Sequence, residues 1–457
     1  MERIRLADVS HVLGVSLHGE SDLAVEGVSI DSRTLAPGEL FVAIQGERFD
    51  GHAFVADAFR RGAVAAVVAR PEGSDGAPGP TLLVEDTVTA LQDLAAWYRG
   101  RFDPSLIGVT GTNGKTTTKD MIAGALSMSM ATLKTEGNYN NHIGVPLTLF
   151  RLGRDHAAAV VEMGMNHPGE IARLAELARP EIGVVTNVSR AHLETMLDLD
   201  SIARAKGELL EALPVDGVAV LNADDPRVMH QASRTRARVE TFGLSEGADT
   251  RGVEIEETRG GVRFRVAGGV CVELRVHGTH NVMNALAALV VSRTLGVDQE
   301  DAARGIASFT PSAMRMDIGR AAGRTILNDA YNANPGSLAA ALETLVAVAA
   351  GRPTAAVLGD MLELGPASAA AHREAGALAA QMGIDYLFLF GREVEALAEG
   401  AIASGMPRER VSTYETKAAL AQDLEDLPDD AVVLVKGSRG MRMEEVVELL
   451  GREAPAS

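Results

Sequence analysis

Short, nearly continuous apolar runs occur at 106–110, 157–162, 182–186 and 217–221, each followed by a polar turn and a stretch with helical spacing. Runs of this kind are expected of strands covered on both faces. Their alternation with helices predicts a doubly wound sheet. The pattern changes at 236–277, where VEIEE, VRFRV and VCVELRV are separated by glycine pairs and predict an antiparallel meander. A helix over 281–295 closes this region. Strand and helix alternate again farther on, with strands expected at 325–328, 354–358, 386–390 and 431–435. Nearer the start, strand-like runs at 24–30, 40–44 and 64–69 accompany helical stretches at 52–61 and 88–98. The chain therefore reads as α/β in three domains. These are an N-terminal domain over 1–103, a central doubly wound mononucleotide-binding domain over 104–313, and a C-terminal Rossmann-like domain over 314–457.

The 457 residues suit about three domains, and 46% hydrophobic content supplies their cores. A single cysteine, Cys271, excludes an intramolecular disulfide and fits a reducing cytoplasm. The N-terminal segment lacks the apolar stretch of a signal peptide, and no run reaches the ~18 apolar residues that cross a bilayer. Membrane insertion is therefore not expected. The net charge of −19 also argues against nucleic-acid binding. An anionic chain that binds an anionic ligand must build local positive sites from Lys, Arg, helix N-termini and metal ions.

SLIGVTGTNGKTTTKDMIAGAL at 105–126 supplies such a site: a buried strand, a glycine turn and a helix. Gly111, Thr112, Asn113 and Gly114 form the turn, and the first helical N–H groups would face an anion. Lys115 would reach terminal phosphates, and Thr116, followed by Thr117, would offer a hydroxyl to a phosphate-bound Mg²⁺. The usual GxxxxGK[ST] pattern is not met, since Val109 stands where its first glycine belongs. A shorter TGTNGKT loop remains, and a nucleoside triphosphate is the expected ligand.

Ligands of open α/β sheets gather beyond the carboxyl ends of the strands. There the second strand delivers Glu162, and the third delivers Asn187, Ser189 and His192. Glu162 and His192 are candidate Mg²⁺ ligands, or else an ordinary strand-end carboxylate and a helix cap. Lys206 lies on the apolar stripe of Ile202, Leu209 and Leu213, where it either snorkels to solvent or performs chemistry. Asp225 and Pro226 read as a helix start. His280, Asn281 and Asn284 open another helix, as purine-reading amides or as caps. In the C-terminal domain the strand ends carry Asp329, Tyr331, Asn332 and Asn334, then Asp360 and Glu363, then Lys436, Ser438 and Arg439. Arg315 stands at the junction of two domains, as a phosphate ligand on closure or an interdomain ion pair.

TGTNGKTTT, VVEMGMN, SRAHLE, RAKGELL, THNVMNALAA, MRMD, DAYNANP and LGDMLELG, in this order, resemble the Mur ligase family of peptidoglycan synthesis. The resemblance spans nearly the whole chain. EGNYNNHIGVPLTL and the early DSRTLAPGELFVAIQGERFDGHAFV make it most similar to the branch that adds D-alanyl-D-alanine. The third-residue-adding diaminopimelate ligases carry DNPR, which is not found here. The resemblance implies a cytoplasmic, monomeric ligase that uses ATP and two Mg²⁺ ions to join D-alanyl-D-alanine to UDP-N-acetylmuramoyl-tripeptide through an acyl phosphate.

It also implies residue roles. Lys115, His192, Lys206 and Arg315 are catalytic, and Thr116, Glu162, His192 and a carbamylated Lys206 hold metal. Asn281 meets adenine, Arg315 the phosphates, and Asp329 the ribose or phosphate region. Ser32 and the FDGH stretch are expected to hold the UDP end of the substrate, Tyr331, Asn332 and the LGDMLELG turn to lie on the dipeptide side, and Asn138 and Asn141 to bind substrate. The rivals are another ligase of this architecture, such as a folylpolyglutamate synthase-like enzyme, and an ATP-driven switch protein that ligates nothing.

Overall fold

The structure is a computed structural model that describes residues 1–16, 22–46, 49–70, 79–190, 194, 196, 198–258 and 260–453. Its largest sheet has nine strands. The order runs Cys271–Leu274, Gly261–Val266, Thr250–Thr258, Arg238–Gly243, Val218–Asn222, Ile182–Val185, Ser105–Thr110, Ala158–Glu162, Thr132–Lys134. From Thr132–Lys134 to Thr250–Thr258 the strands are parallel. The expected meander forms the far edge as two antiparallel pairings. Strand Ser105–Thr110 lies at the switch point, because the chain leaves it toward one edge and later returns to its other side. A crevice opens there beyond the carboxyl ends.

Apolar residues account for this burial on both faces. Ile107, Val109, Val160, Val184 and Val220 pack beneath helices Lys115–Leu126 and Thr279–Thr294. Leu106, Val161 and Val185 face the opposite core. Each such side chain contributes about 1.5–3 kcal/mol by leaving water.

That opposite core is continuous with an N-terminal unit. Four parallel strands, Gly27–Ser29, Glu39–Val42, Ala65–Val68 and Thr81–Leu83, form its sheet. Helix Thr87–Arg99 joins it to the nine-stranded sheet: the Tyr98 hydroxyl donates to Leu152 O at 2.8 Å, and Arg99 Nε donates to Ala178 O at 2.8 Å. Most of the glycine-rich stretch at 71–80 lies outside the described residues.

The C-terminal sheet has seven strands: Val411–Tyr414, Tyr386–Phe390, Thr354–Gly359, Val432–Lys436, Arg324–Asp329, Asp317–Ala321 and Arg452–Glu453. The first five are parallel and the last two antiparallel. Strands Asp317–Ala321 and Val411–Tyr414 are additions to the sequence reading. Their alternating or mixed exposure leaves no continuous apolar run to find. Among the described residues no helix is long and apolar enough to cross a membrane.

Candidate active site

The glycine turn expected at 111–114 forms between Ser105–Thr110 and helix Lys115–Leu126. Gly114 has φ +79°, and a Cβ there would lie 2.5 Å from Asn284 Oδ1, so only glycine fits. Asn187 grips the turn: its Oδ1 accepts from Asn113 N at 2.9 Å, and its Nδ2 donates to Asn113 O at 3.0 Å. Thr186 Oγ1 donates to the same carbonyl at 2.7 Å, while Asn222 Nδ2 donates to Thr186 O. Ser189 N donates to Thr112 Oγ1. The third strand end thus braces the loop and leaves the helical N–H groups facing the cleft.

Lys115 folds over its own loop, donating to Gly111 O at 2.9 Å and Thr112 O at 3.0 Å. Desolvation draws its ammonium below the usual lysine range, the Glu162 carboxylate opposes that shift, and Arg315 adds to it. Phosphate oxygens would replace the two carbonyls and favour the charged form.

Glu162 is 1% exposed. Its Oε1 accepts from Asn140 Nδ2 at 2.7 Å. Its Oε2 is buried without a hydrogen-bond partner among the described residues. An unmatched carboxylate oxygen costs several kcal/mol unless a cation or proton completes it. Glu162 lines the cleft together with Thr116. No group of three or more His, Cys, Asp or Glu gathers for a metal among the described residues. The donor set suits Mg²⁺, which takes one or two protein oxygens and fills its shell with phosphate and water. His192 lies outside the described residues.

Lys206 is 3% exposed on helix Leu199–Glu211, so the snorkelling alternative is overturned. Desolvation, and then the charge of Lys115, hold its ammonium well below the usual range. Asn281 lines the cleft, with Nδ2 donating to His277 O at 2.8 Å. Asn284 Oδ1 accepts from Thr118 Oγ1 at 3.0 Å, which ties the two helices together behind the phosphate loop. His280 faces the C-terminal sheet. Desolvation lowers its pKa, Asp329 raises it and Lys436 lowers it.

The C-terminal unit forms the other wall. Arg315 lies between two residues of positive φ, Met314 (+62°) and Met316 (+52°). Its guanidinium sits 3.8 Å from the centroid of the Tyr331 ring. Asp329 Oδ1 accepts from Met316 N at 3.0 Å, and its Oδ2 pairs with Lys436. Asp329 therefore fastens the interdomain linker, and a ribose would have to compete for it. Asp360 caps a loop through Arg392 N and Glu393 N. Both walls enclose a cleft of about 640 Å³.

Of the residues expected to bind substrate, Asn138, Tyr331 and Asn332 line this cleft. Asn141 instead turns on the chain just ahead of helix Gly144–Leu149, its Oδ1 accepting from Ile143 N and Gly144 N. Ser32 is buried in the N-terminal unit, away from the cleft lining. Asp225 caps its helix as expected and also accepts from Val188 N. Asn140 was not distinguishable from its neighbours in EGNYNNHIG. Its selection depends on Gly164 N, which donates to Asn140 O and turns that side chain toward Glu162.

A parallel sheet with a glycine loop at its switch point, faced by a second α/β unit across a polar cleft, defines a phosphate-loop nucleotide-binding protein of ligase architecture. Residues 24–99 match the Mur ligase family catalytic domain, 109–292 the Mur ligase middle domain, and 314–439 the Mur ligase glutamate ligase domain. The UDP-N-acetylmuramoyl-tripeptide–D-alanyl-D-alanine ligase of Bacillus subtilis is 38% identical, covering 95% of this chain and 94% of its own. MurF from Acinetobacter baumannii superposes with a TM-score of 0.90 at 31% identity, covering 98% and 99% of the two chains. MurF from Thermotoga maritima in complex with ADP gives 0.82 at 30% identity, covering 93% and 96%. The chain belongs to the Mur ligase family.

Proposed function

We propose that this chain is an ATP-dependent ligase that joins D-alanyl-D-alanine to UDP-N-acetylmuramoyl-tripeptide, giving the pentapeptide precursor of peptidoglycan. The observation that carries this reading is the shared cleft, with the phosphate loop on one wall and Tyr331, Asn332 and Lys436 on the other. Relatives that bear this activity in their names match from end to end. A folylpolyglutamate synthase-like reading leaves the N-terminal unit without a task.

In this reading the three domains divide the work. The unit over 1–103, around Ser32, holds the UDP end. The unit over 104–313 holds ATP, with Asn281 toward adenine. The unit over 314–457 brings the dipeptide. A carboxylate acylates poorly at neutral pH, so the tripeptide carboxylate first attacks the γ-phosphorus and displaces ADP. The dipeptide amine then attacks the acyl carbon, the C–O bond breaks, phosphate leaves and the amine gives up a proton. Lys115 and the helix N-terminus neutralise phosphate charge while it moves, and Arg315 reaches the same phosphates from the linker. Thr116 and Glu162 would hold one Mg²⁺, and His192 with a carbamylated Lys206 a second, supplying further charge neutralisation. The neutral amine is the form that reacts with CO₂, and the lowered pKa of Lys206 makes that form more accessible. A cytoplasmic monomer belongs to the same reading.

Phosphate release from Mg·ATP tests it. Release should require both UDP-N-acetylmuramoyl-tripeptide and D-alanyl-D-alanine, with single amino acids failing to replace the dipeptide. Release indifferent to both would leave a nucleotide-driven switch.

A further inference from the structure

The dipeptide carries an anion of its own, the C-terminal carboxylate, into a cleft that already holds phosphates. Unless that carboxylate is held apart, it competes with the triphosphate for the cations that drive the first step. Four Lys or Arg side chains line the cleft among the described residues: Lys115, Arg315, Lys436 and Arg439. Lys115 belongs to the phosphate loop. Arg315, held with its guanidinium 3.8 Å from the Tyr331 ring centroid at the domain junction, is the phosphate ligand of the reading above. Lys436 is 2% exposed and is spent on Asp329 and on Asn332 O at 2.9 Å.

Arg439 differs from these three. Its side chain is half exposed, and Nη1 alone is engaged, donating to Glu444 Oε1 at 2.6 Å. The bond is single rather than a closed fork: Glu444 Oε2 has no partner, and Arg439 Nε and Nη2 make no hydrogen bond among the described residues. The turn beneath is rigid. Ser438 Oγ accepts from Leu362 N at 2.8 Å and donates to Ala333 O at 3.2 Å. Arg439 Nη1 also lies 3.9 Å from Met314 Sδ, next in sequence to Arg315. A dipeptide spans about 7 Å at ~3.3–3.6 Å per residue, so its amine and its carboxylate meet different parts of the one cleft that Arg439 and the phosphate loop line.

We propose that Arg439 reads the terminal carboxylate of the incoming dipeptide, with Glu444 holding one edge of the guanidinium so that the other edge faces the cleft. This rests on the ligase reading above. It makes a free C-terminal carboxylate a condition of acceptance, and it orients the amine toward the acyl group.

The test compares D-alanyl-D-alanine with D-alanyl-D-alaninamide, which keeps the amine and loses the charge, in the wild type, Arg439→Gln and Arg439→Lys. The wild type should prefer the acid by about ten- to a hundredfold in kcat/KM, the span of a hydrogen bond to a charged group. In Arg439→Gln the KM for the acid should rise by that factor, and those for the amide, ATP and UDP-tripeptide should stay unchanged. Arg439→Lys keeps a cation beside Glu444 and should recover part of the preference, which separates recognition from loss of the turn. An acid-to-amide ratio unchanged in a ligating Arg439→Gln or Arg439→Lys enzyme would overturn the assignment to Arg439 alone. A wild type that ligates neither compound would overturn the ligase reading and this assignment together.

Discussion

Asn113 of the phosphate loop and Asn334 of the C-terminal unit exchange hydrogen bonds. Asn334 Nδ2 donates to Asn113 Oδ1 at 2.8 Å, and Asn113 Nδ2 donates to Asn334 Oδ1 at 3.3 Å. Asn334 is also the N-cap of helix Pro335–Ala349, accepting from Ser337 N at 2.9 Å. Gly336 keeps the approach close, since a Cβ there would stand 3.1 Å from Ser189 Oγ and 3.2 Å from Asn113 Nδ2. The position of the loop and the docking of the second wall are therefore linked through one amide pair.

Asn334→Ser separates the two duties of that residue. Serine caps a helix about as well as asparagine but cannot reach Asn113. Each lost bond is worth about 0.5–1.5 kcal/mol net, or about 1–3 kcal/mol for the pair, so kcat should fall by about fivefold to 150-fold. ATP affinity in the absence of the other substrates should change little. Steady-state kinetics beside calorimetric ATP titration measures both, and an equal loss in each would contradict the coupling.

Asn140 is expected to orient Glu162 so that Oε2 faces the phosphates. Groups that orient a metal ligand commonly matter by about 10–100-fold in metal affinity. Asn140→Ala should raise the Mg²⁺ concentration needed for half-maximal ATP binding within that range, with metal-free nucleotide binding preserved. Mg²⁺ titration monitored by a fluorescent ATP analogue would show it.

Burial, and then the charge of Lys115, draw the Lys206 pKa well below 10.5 in the folded chain, whereas the unfolded lysine is charged up to its usual 10.5. The unfolded state then binds more protons between the lowered pKa and 10.5, so this lysine costs stability at neutral pH and less as pH rises. Lys206→Met should unfold at higher temperature than the unmodified wild type near neutrality, with the gap closing toward pH 10.5. The same variant should be inactive. Enzyme stripped of CO₂ should lose activity and regain it with bicarbonate, alongside a mass increase of one CO₂.

Asp50 is held at about 2 rather than 3.8, chiefly by the His52 side chain, with Arg70 contributing. A depressed carboxylate stabilises the fold above its unfolded pKa and loses that contribution as pH falls through its folded one. Asp50→Asn should therefore be less stable than wild type above pH 3.8, with the difference vanishing toward pH 2. Acid titration of near-UV dichroism on both proteins gives the comparison.

Much of the fold was legible because the central strands are two-face buried and appear as unbroken apolar runs, as at 106–110 and 182–186. Asp317–Ala321 escaped because DIGRA has no such run, and its pairing comes from strand Arg324–Asp329 beside it. The phosphate loop was legible because strand, glycine turn and helix are local. Periodicity alone left Lys206 open, since burial depends on helices distant in sequence. Asp329 stood out at a strand end, but its pairing with Lys436, 107 residues away, was not visible in the sequence. Asn334 stood out only as one more polar residue at a strand end, because its partner Asn113 is 221 residues distant.

The most direct measurement labels both carboxylate oxygens of the tripeptide's terminal residue with heavy oxygen and follows one turnover with ATP and D-alanyl-D-alanine by mass. The account predicts one labelled oxygen in the released phosphate and one in the new amide of a UDP-linked pentapeptide. Phosphate free of label, or label with no pentapeptide formed, would contradict it.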